Sequence, residues 1–296
     1  MNDGTNVGLY DSILITGGRG MLAQAFAQVL GDRGLKASVA GRADCDVADA
    51  AAVAATFERV KPTLLINCAA YTKVDLAEKE AEAARVANAV APGVLAAACR
   101  RYDTALVHFS TDYVFDGSIR RPLRPDDPVG AQGVYGRSKL EGERAIQASP
   151  PPRWLIARTA WLYGPGGPNF VQTMLNVARA GKPLRVVNDQ QGSPTYTFDL
   201  AAATLGLLDH DASGIWHVAN AGRTTWFDFA AAIFRQWGLS ADLQPTTSAQ
   251  WKATTPDSAT RPAYSVFDIE PLNRLLGRPM RSWQDALRAY RTSCAG

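Results

Sequence analysis

Short apolar runs alternate along this chain with amphipathic stretches of roughly ten to twenty residues, and that rhythm leaves few folds open. The runs Ser12 to Thr16, Lys36 to Ala40, Thr63 to Asn67, Ala105 to Phe109 and Trp154 to Arg158 are too short for helices and too apolar for loops. A helical pattern follows each of them. Strand, helix and strand in that order predict an α/β fold: a Rossmann-type, doubly wound parallel sheet with helices on both faces. At 296 residues the chain has room for one such unit and a smaller satellite. Past Arg158 the alternation loosens, and Pro and Gly become dense between Pro122 and Pro128, Pro150 and Pro152, and Gly164 and Pro168. Helical patterns from Phe170 to Ala180, Phe227 to Trp237 and Trp283 to Tyr290, with short strands near Val186 and Trp216, predict a smaller α/β lobe. It would cover the carboxyl ends of the sheet strands, where open α/β sheets bind ligands.

Composition narrows the partners. With 47% hydrophobic and 20% charged residues the chain has a globular composition, and a net charge of +3 is too small to argue for nucleic acid or an anionic membrane surface. No apolar run reaches the roughly 18 residues of a membrane span, and Met1-Asn2-Asp3-Gly4 lacks the basic-then-apolar order of a signal peptide, so a cytoplasmic protein is expected. Cys45, Cys68, Cys99 and Cys294 are scattered, and His108, His210 and His217 have no ligand spacing, so no metal site is expected.

The first strand runs into Gly17-Gly18-Arg19-Gly20-Met21-Leu22-Ala23 and then a helical pattern to about Leu30. Glycines there permit a tight turn and close backbone approach, the helix amino terminus attracts a pyrophosphate, and the small Ala23 lets helix pack on strand. This predicts a dinucleotide site. The second strand ends in Ala40-Gly41-Arg42 where an NAD pattern has an acid, so Arg42, with Arg19, points to the 2′-phosphate of NADP. NADP is expected in preference to NAD, with NAD tolerated. Residues 1–160 are then mainly the NADP-binding domain and 161–296 mainly the substrate lobe, with segments exchanged between them.

Tyr135 and Lys139 lie four residues apart in a helical pattern, which sets them on one face, where an ammonium makes the phenol a better proton donor to a carbonyl. Ser110-Thr111-Asp112-Tyr113 ends the fourth strand at the edge where cofactor and helix should meet. A Thr111 hydroxyl there can hold a substrate oxygen.

Taken together these residues resemble the extended short-chain dehydrogenase/reductases, and within them the dTDP-4-dehydrorhamnose reductases. The resemblance covers nearly the whole chain. It rests on Asn67-Cys68-Ala69-Ala70-Tyr71-Thr72 with Val74-Asp75 and Glu78, Ser110 to Phe115, Tyr135 to Leu140 and Arg158 to Tyr163. It continues through Asn169-Phe170, Asn188 to Thr195 and Arg261-Pro262. It implies reduction of the C4 ketone of dTDP-4-dehydro-L-rhamnose to dTDP-L-rhamnose, with Tyr135 as proton donor. Lys139 would hold the nicotinamide ribose and lower the tyrosine pKa, and Thr111 would bind the substrate oxygen. Gly20, Met21 and Leu22 would meet the pyrophosphate, Asp46 and Val47 the adenine, and Ala70, Tyr71 and Thr72 the ribose side. Asp112, Tyr113, Trp161 and Asn169 would join Thr111 around the nucleotide sugar. The alternatives are reduction of another dTDP-4-keto-6-deoxysugar and a non-catalytic, NADP-binding regulatory subunit.

Three positions depart from the family. Arg124 stands in a Pro-rich loop where an acid is usual, and Ala25 and Phe198 occupy two places where some members use carboxylates to bind a divalent metal between subunits. Neither side chain can ligate a hard cation. No required metal and a monomer rather than a homodimer are the expectations.

Overall fold

The computed structural model describes residues 10–294, so the expectation on Met1-Asn2-Asp3-Gly4 lies outside the described residues. The first half runs β1 (Ile13–Thr16), α1 (Met21–Asp32), β2 (Ala37–Ala40), α2 (Ala50–Val60), β3 (Leu64–Asn67), α3 (Val74–Ala77) and α4 (Ala81–Arg85). A π-helical turn (Val86–Val90) leads into α5 (Ala91–Arg101), β4 (Ala105–Thr111), a 3-10 turn (Asp112–Val114), α6 (Val134–Ala148) and β5 (Trp154–Thr159). The second half is β6 (Leu162–Tyr163), α7 (Phe170–Arg179), β7 (Leu184–Val187), β8 (Gln191–Gly192), β9 (Thr195–Tyr196), α8 (Thr197–Asp209) and β10 (Gly214–His217). It ends with β11 (Thr224–Thr225), α9 (Trp226–Trp237), β12 (Leu243–Thr246), α10 (Ser248–Thr254), α11 (Glu270–Leu275) and α12 (Trp283–Ser293).

Six strands form one parallel sheet in the order β10-β5-β4-β3-β1-β2. Strand order reverses between β1 and β3, which opens a crevice at their carboxyl ends. Alternation along each strand sends side chains to opposite faces. Ile13, Ile15, Leu64, Ile66 and Val107 pack with α1 and α8 on one side, whereas Leu14, Leu65, Leu106 and Ile156 pack with α2, α5 and α6 on the other. A separate core of Tyr163, Val171, Phe229, Ile233, Leu287 and Tyr290 joins α7, α9 and α12.

One expectation needs correction. The strand near Trp216 is β10, which pairs with β5 and extends the main sheet instead of serving the smaller lobe. The smaller lobe takes β12 as the parallel partner of β7 instead. Helix α8 carried no periodic signal because it is covered on several sides, with Leu200, Ala201, Thr204, Leu207 and Leu208 all buried. Ala25 is itself buried in that core, and Phe198 stacks on Tyr196 at 5.3 Å.

Helix α6 is fastened to the sheet by one buried ion pair. Arg158 on β5 donates Nε and Nη2 to the two carboxylate oxygens of Glu143, at 2.9 and 2.7 Å, and Nη1 to the Pro125 carbonyl at 3.1 Å. The side chains are 3% and 1% exposed. Removing one partner from such a pair leaves an uncompensated buried charge. Glu143→Leu should therefore cost about 3–5 kcal/mol, whereas Glu143→Leu combined with Arg158→Met should recover most of it. Denaturant midpoints of the two variants against the parent check this; equal losses would contradict it.

Candidate active site

The crevice between the two lobes is a cleft of about 1290 Å³. That exceeds the roughly 300–1,000 Å³ that hold one drug-sized ligand, so it has room for two ligands laid end to end. One end is the glycine turn. Gly17 has φ +75°, and a Cβ there would come within 2.7 Å of the backbone of Cys68 and Ala69 after β3, so only glycine fits this close approach of two strand ends. The Gly18 N–H ties the turn to the end of β2, at 3.0 Å from the Ala40 carbonyl. Helix α1 has Gly20 as its N-cap and so starts with no side chain capping it. Its first N–H groups face the cleft beside Met21 and Leu22 with their donors uncommitted inside the helix, which suits an anion. From above, the Gly166-Gly167 loop of the second lobe closes on this turn; Gln24 Nε2 donates to the Gly166 carbonyl at 3.3 Å.

Just beyond the second strand, Arg42 and Asp46 line the same end of the cleft and pair with each other at 3.4 Å, with the Arg42 side chain 87% exposed. Arg19, Val47, Ala70, Tyr71 and Thr72 also line it. The Tyr71 backbone is held in both directions by Asn88, which accepts from Tyr71 N and donates to Tyr71 O, each at 2.9 Å, and also donates to Ser138 on α6 at 3.1 Å. Asn88 sits in the π-helical turn. Its role has no sequence signal, because a single inserted residue in a helix leaves no compositional trace.

At the other end lie Thr111, Tyr135 and Lys139. Tyr135 sits in the first turn of α6 and Lys139 one turn later, and both line the cleft. Burial pushes the Tyr135 phenol up to about 12, opposed in part by a hydrogen bond between the phenol and the Thr111 hydroxyl. The Thr111 Oγ1 donates to Asp112 Oδ1 at 3.0 Å and accepts from Tyr113 N at 3.3 Å. Asp112 is buried, and burial raises its carboxyl to about 6 against the hydrogen bonds it receives. Tyr113 meets Tyr135 edge to face with ring centroids 5.4 Å apart.

Lys139 reaches back from α6 to β4. Its Nζ donates to the Phe109 carbonyl at 2.6 Å and lies 3.2 Å from His108 Nε2, so its charge is engaged on β4 while burial governs Tyr135. Asn169 is placed in the loop between Gly167-Pro168 and Phe170, which line the cleft. It does not line the cleft: its Nδ2 donates to the Gly164 and Gly167 carbonyls at 2.8 and 3.1 Å, and its Oδ1 caps α7 through Gln172 N. It shapes the loop above the glycine turn, a cap for which Asn is well suited.

Trp161 lines the cleft with φ +48° and stacks on Trp226, centroids 3.6 Å apart and planes 8° from parallel. Trp226, Ser110 and Thr159 were not singled out from the sequence. The last two carry buried hydroxyls with no protein partner, at the carboxyl ends of β4 and β5 inside the cleft. Buried hydroxyls without partners are uncommon and suit a ligand with polar groups. Among the described residues no helix is long and apolar enough to cross a membrane.

Comparison with known proteins agrees with this geometry. The model of the family described as RmlD substrate binding domain matches residues 11–295. A dTDP-4-dehydrorhamnose reductase of Streptomyces griseus is 42% identical over 280 residues, 93% of this chain and 91% of that one. A dTDP-4-keto-6-deoxy-D-glucose reductase of Streptomyces niveus is 38% identical over 280 residues, 94% and 95% of the two chains. Among solved structures, a dTDP-4-dehydrorhamnose reductase of Bacillus anthracis in complex with NADP superposes with a TM-score of 0.90 at 33% identity, over 96% of this chain and 99% of that one. A match along almost the entire chain, in sequence and in fold, means that the chain belongs to the RmlD substrate binding domain family.

Proposed function

We propose that the protein reduces the C4 ketone of dTDP-4-dehydro-L-rhamnose to dTDP-L-rhamnose, with NADPH as reductant. The observation that carries this reading is the meeting of Thr111, Tyr135 and Lys139 at one end of a cleft whose other end is a glycine turn no side chain would fit. NADPH, when bound, supplies the hydride. The turn of Gly17, Arg19 and Gly20 with the backbone of Met21 and Leu22 would hold its pyrophosphate. Arg42 would hold the 2′-phosphate, with Asp46 and Val47 at the adenine and Ala70, Tyr71 and Thr72 on the ribose side. At the reacting end the Thr111 hydroxyl positions the carbonyl oxygen, and the Tyr135 phenol gives its proton to the oxygen as the ketone becomes an alcohol. A phenol held near 12 keeps its proton at neutral pH, so it is present as the acid the reaction needs. Asp112, Tyr113 and the Trp161 indole would bound the sugar nucleotide.

The 38% identity to a dTDP-4-keto-6-deoxy-D-glucose reductase favours a second reading, reduction of that related sugar. Both share the chemistry above. Assaying NADPH oxidation against a panel of dTDP- and UDP-linked 4-keto sugars separates them: the greatest kcat/KM with dTDP-4-dehydro-L-rhamnose is expected, and turnover with none of the panel would reject both in favour of a regulatory subunit.

Three outcomes test the residues. Tyr135→Phe should leave NADPH affinity near that of the parent while kcat falls by about 10²–10⁴, the scale of a lost general acid; parental turnover would remove Tyr135 from the reaction. Arg42→Ala should lower kcat/KM for NADPH alone by about ten- to hundredfold, leaving NADH unchanged, because only NADPH carries the phosphate that a charge-assisted bond would hold. Equal use of both cofactors by the parent would instead mean that Arg42 serves only Asp46. Activity should also survive a chelator, with light scattering giving a monomer before and after. The buried methyl of Ala25 and the ring of Phe198 offer no oxygen to a shared cation. Loss of turnover on chelation, or a dimer that falls apart, would reverse that conclusion.

A further inference from the structure

β1, β3 and β4 run in a register that sets Thr16 opposite Asn67 and Asn67 opposite His108. The three buried side chains form a row of hydrogen bonds on the face that receives α6. The direction of the row is decided at Asn67. The backbone N–H of Ala69 donates to Asn67 Oδ1 at 3.1 Å, and the Thr16 hydroxyl donates to the same oxygen at 2.7 Å. A backbone N–H can only donate, so the amide oxygen lies on that side and the amide NH2 faces His108. Asn67 Nδ2 is 3.0 Å from His108 Nδ1, which is thereby an acceptor without a proton. A neutral imidazole in that position carries its proton on Nε2. Nε2 is 3.2 Å from Lys139 Nζ. An imidazole N–H aimed at an ammonium sets two donors face to face, whereas a neutral amine offers the N–H a lone pair.

We propose that His108 is a positioning residue for Lys139: its Nε2–H disfavours the ammonium, and Thr16, Asn67 and the Ala69 backbone hold the tautomer that does so. The inference rests on the reductase reading for its consequence: an ammonium at Lys139 would hold the nicotinamide ribose, so its deprotonation sets the alkaline limit of turnover, and that limit is tuned from the strands behind the cleft. Burial acts in the same direction; it pulls Lys139 down to about 8 and holds His108 well below the ordinary histidine range. Glu143, one turn further along α6, favours the ammonium, but its charge is shared with Arg158 on β5. Of the groups on the elements packed around α6, Asp75 on α3 pairs with Arg261 and Glu82 on α4 pairs with Arg85, so neither is a free counter-charge. The 3-10 turn contributes Asp112 and Tyr113, which face Thr111 and Tyr135, and the Cys99 thiol on α5 is buried and uncharged.

Nuclear magnetic resonance of the full chain tests this without any substrate, so its failure and that of the reductase reading are distinguishable. The ¹⁵N shifts of His108 should show the Nε2–H tautomer. The Lys139 side-chain carbon, assigned by its disappearance in Lys139→Met, gives the titration midpoint. Asn67→Asp replaces the amide donor by an acceptor, moves the imidazole proton to Nδ1 and turns Nε2 into an acceptor for the ammonium. His108→Gln offers a carbonyl in place of the N–H and adds no charge. Both variants should raise the Lys139 midpoint by about one pH unit or more, tenfold in proton affinity, and move the alkaline limb of kcat/KM by the same amount. An Nδ1–H tautomer in the parent, or an unmoved or lowered midpoint in His108→Gln, would overturn the proposal. The tautomer measurement decides it alone if either variant does not fold.

Discussion

The buried pair of Arg158 and Glu143 is the constraint on which the arrangement of the reacting groups depends. It joins the helix that carries Tyr135 and Lys139 to the strand beside the one that carries Thr111, and through the Pro125 carbonyl it also holds the loop leading to that helix. Two charges taken out of water repay their desolvation only in good geometry with their remaining hydrogen bonds filled. That condition makes the pair directional: α6 has one placement on the sheet at which both carboxylate oxygens and all three guanidinium nitrogens are used. An apolar contact could hold the helix as firmly, but it would tolerate sliding that moves a phenol relative to a hydroxyl.

With α6 placed, burial governs the electrostatics of the reacting end. Tyr135, Asp112 and Lys139 are all shifted toward their neutral forms, up to about 12, up to about 6 and down to about 8. The cause is common to the three: a dry wall disfavours whichever form is charged. A proton donor that stays protonated at neutral pH suits reduction of a neutral ketone. Beside these three groups the buried hydroxyls of Ser110 and Thr159 have no partner within the protein, which suits a polar ligand.

The opposite end of the cleft is built on a different principle, chiefly from backbone. Gly17 brings the ends of β1 and β3 into contact at the point where strand order reverses, and the uncapped start of α1 presents N–H groups there. The charged side chain Arg42 lies at its margin, exposed and paired to Asp46.

What the sequence determined by itself is local. The strand-turn-helix order at Gly17 to Ala23 and the spacing of Tyr135 and Lys139 are legible because hydrophobic periodicity and glycine conformations are properties of contiguous residues. The parallel sheet follows from strands that alternate with helices, and longer motifs such as Ser110 to Phe115 carry the family resemblance. The tertiary structure decided what depends on partners distant in the chain. It moved the strand around Trp216 into the main sheet, since an edge strand is chosen by the neighbour it pairs with. It made Asn169 the cap of α7, a role the sequence does not reveal because an amide reads the same whether it serves backbone or ligand. It stacked Trp161 on Trp226, 65 positions away, and lined up Thr16, Asn67 and His108 across three strands. Lys139 shows the division most clearly: its place beside Tyr135 is a matter of helical spacing, but the partners of its Nζ, the Phe109 carbonyl and His108 Nε2, come from β4, and the burial that lowers it comes from the whole fold.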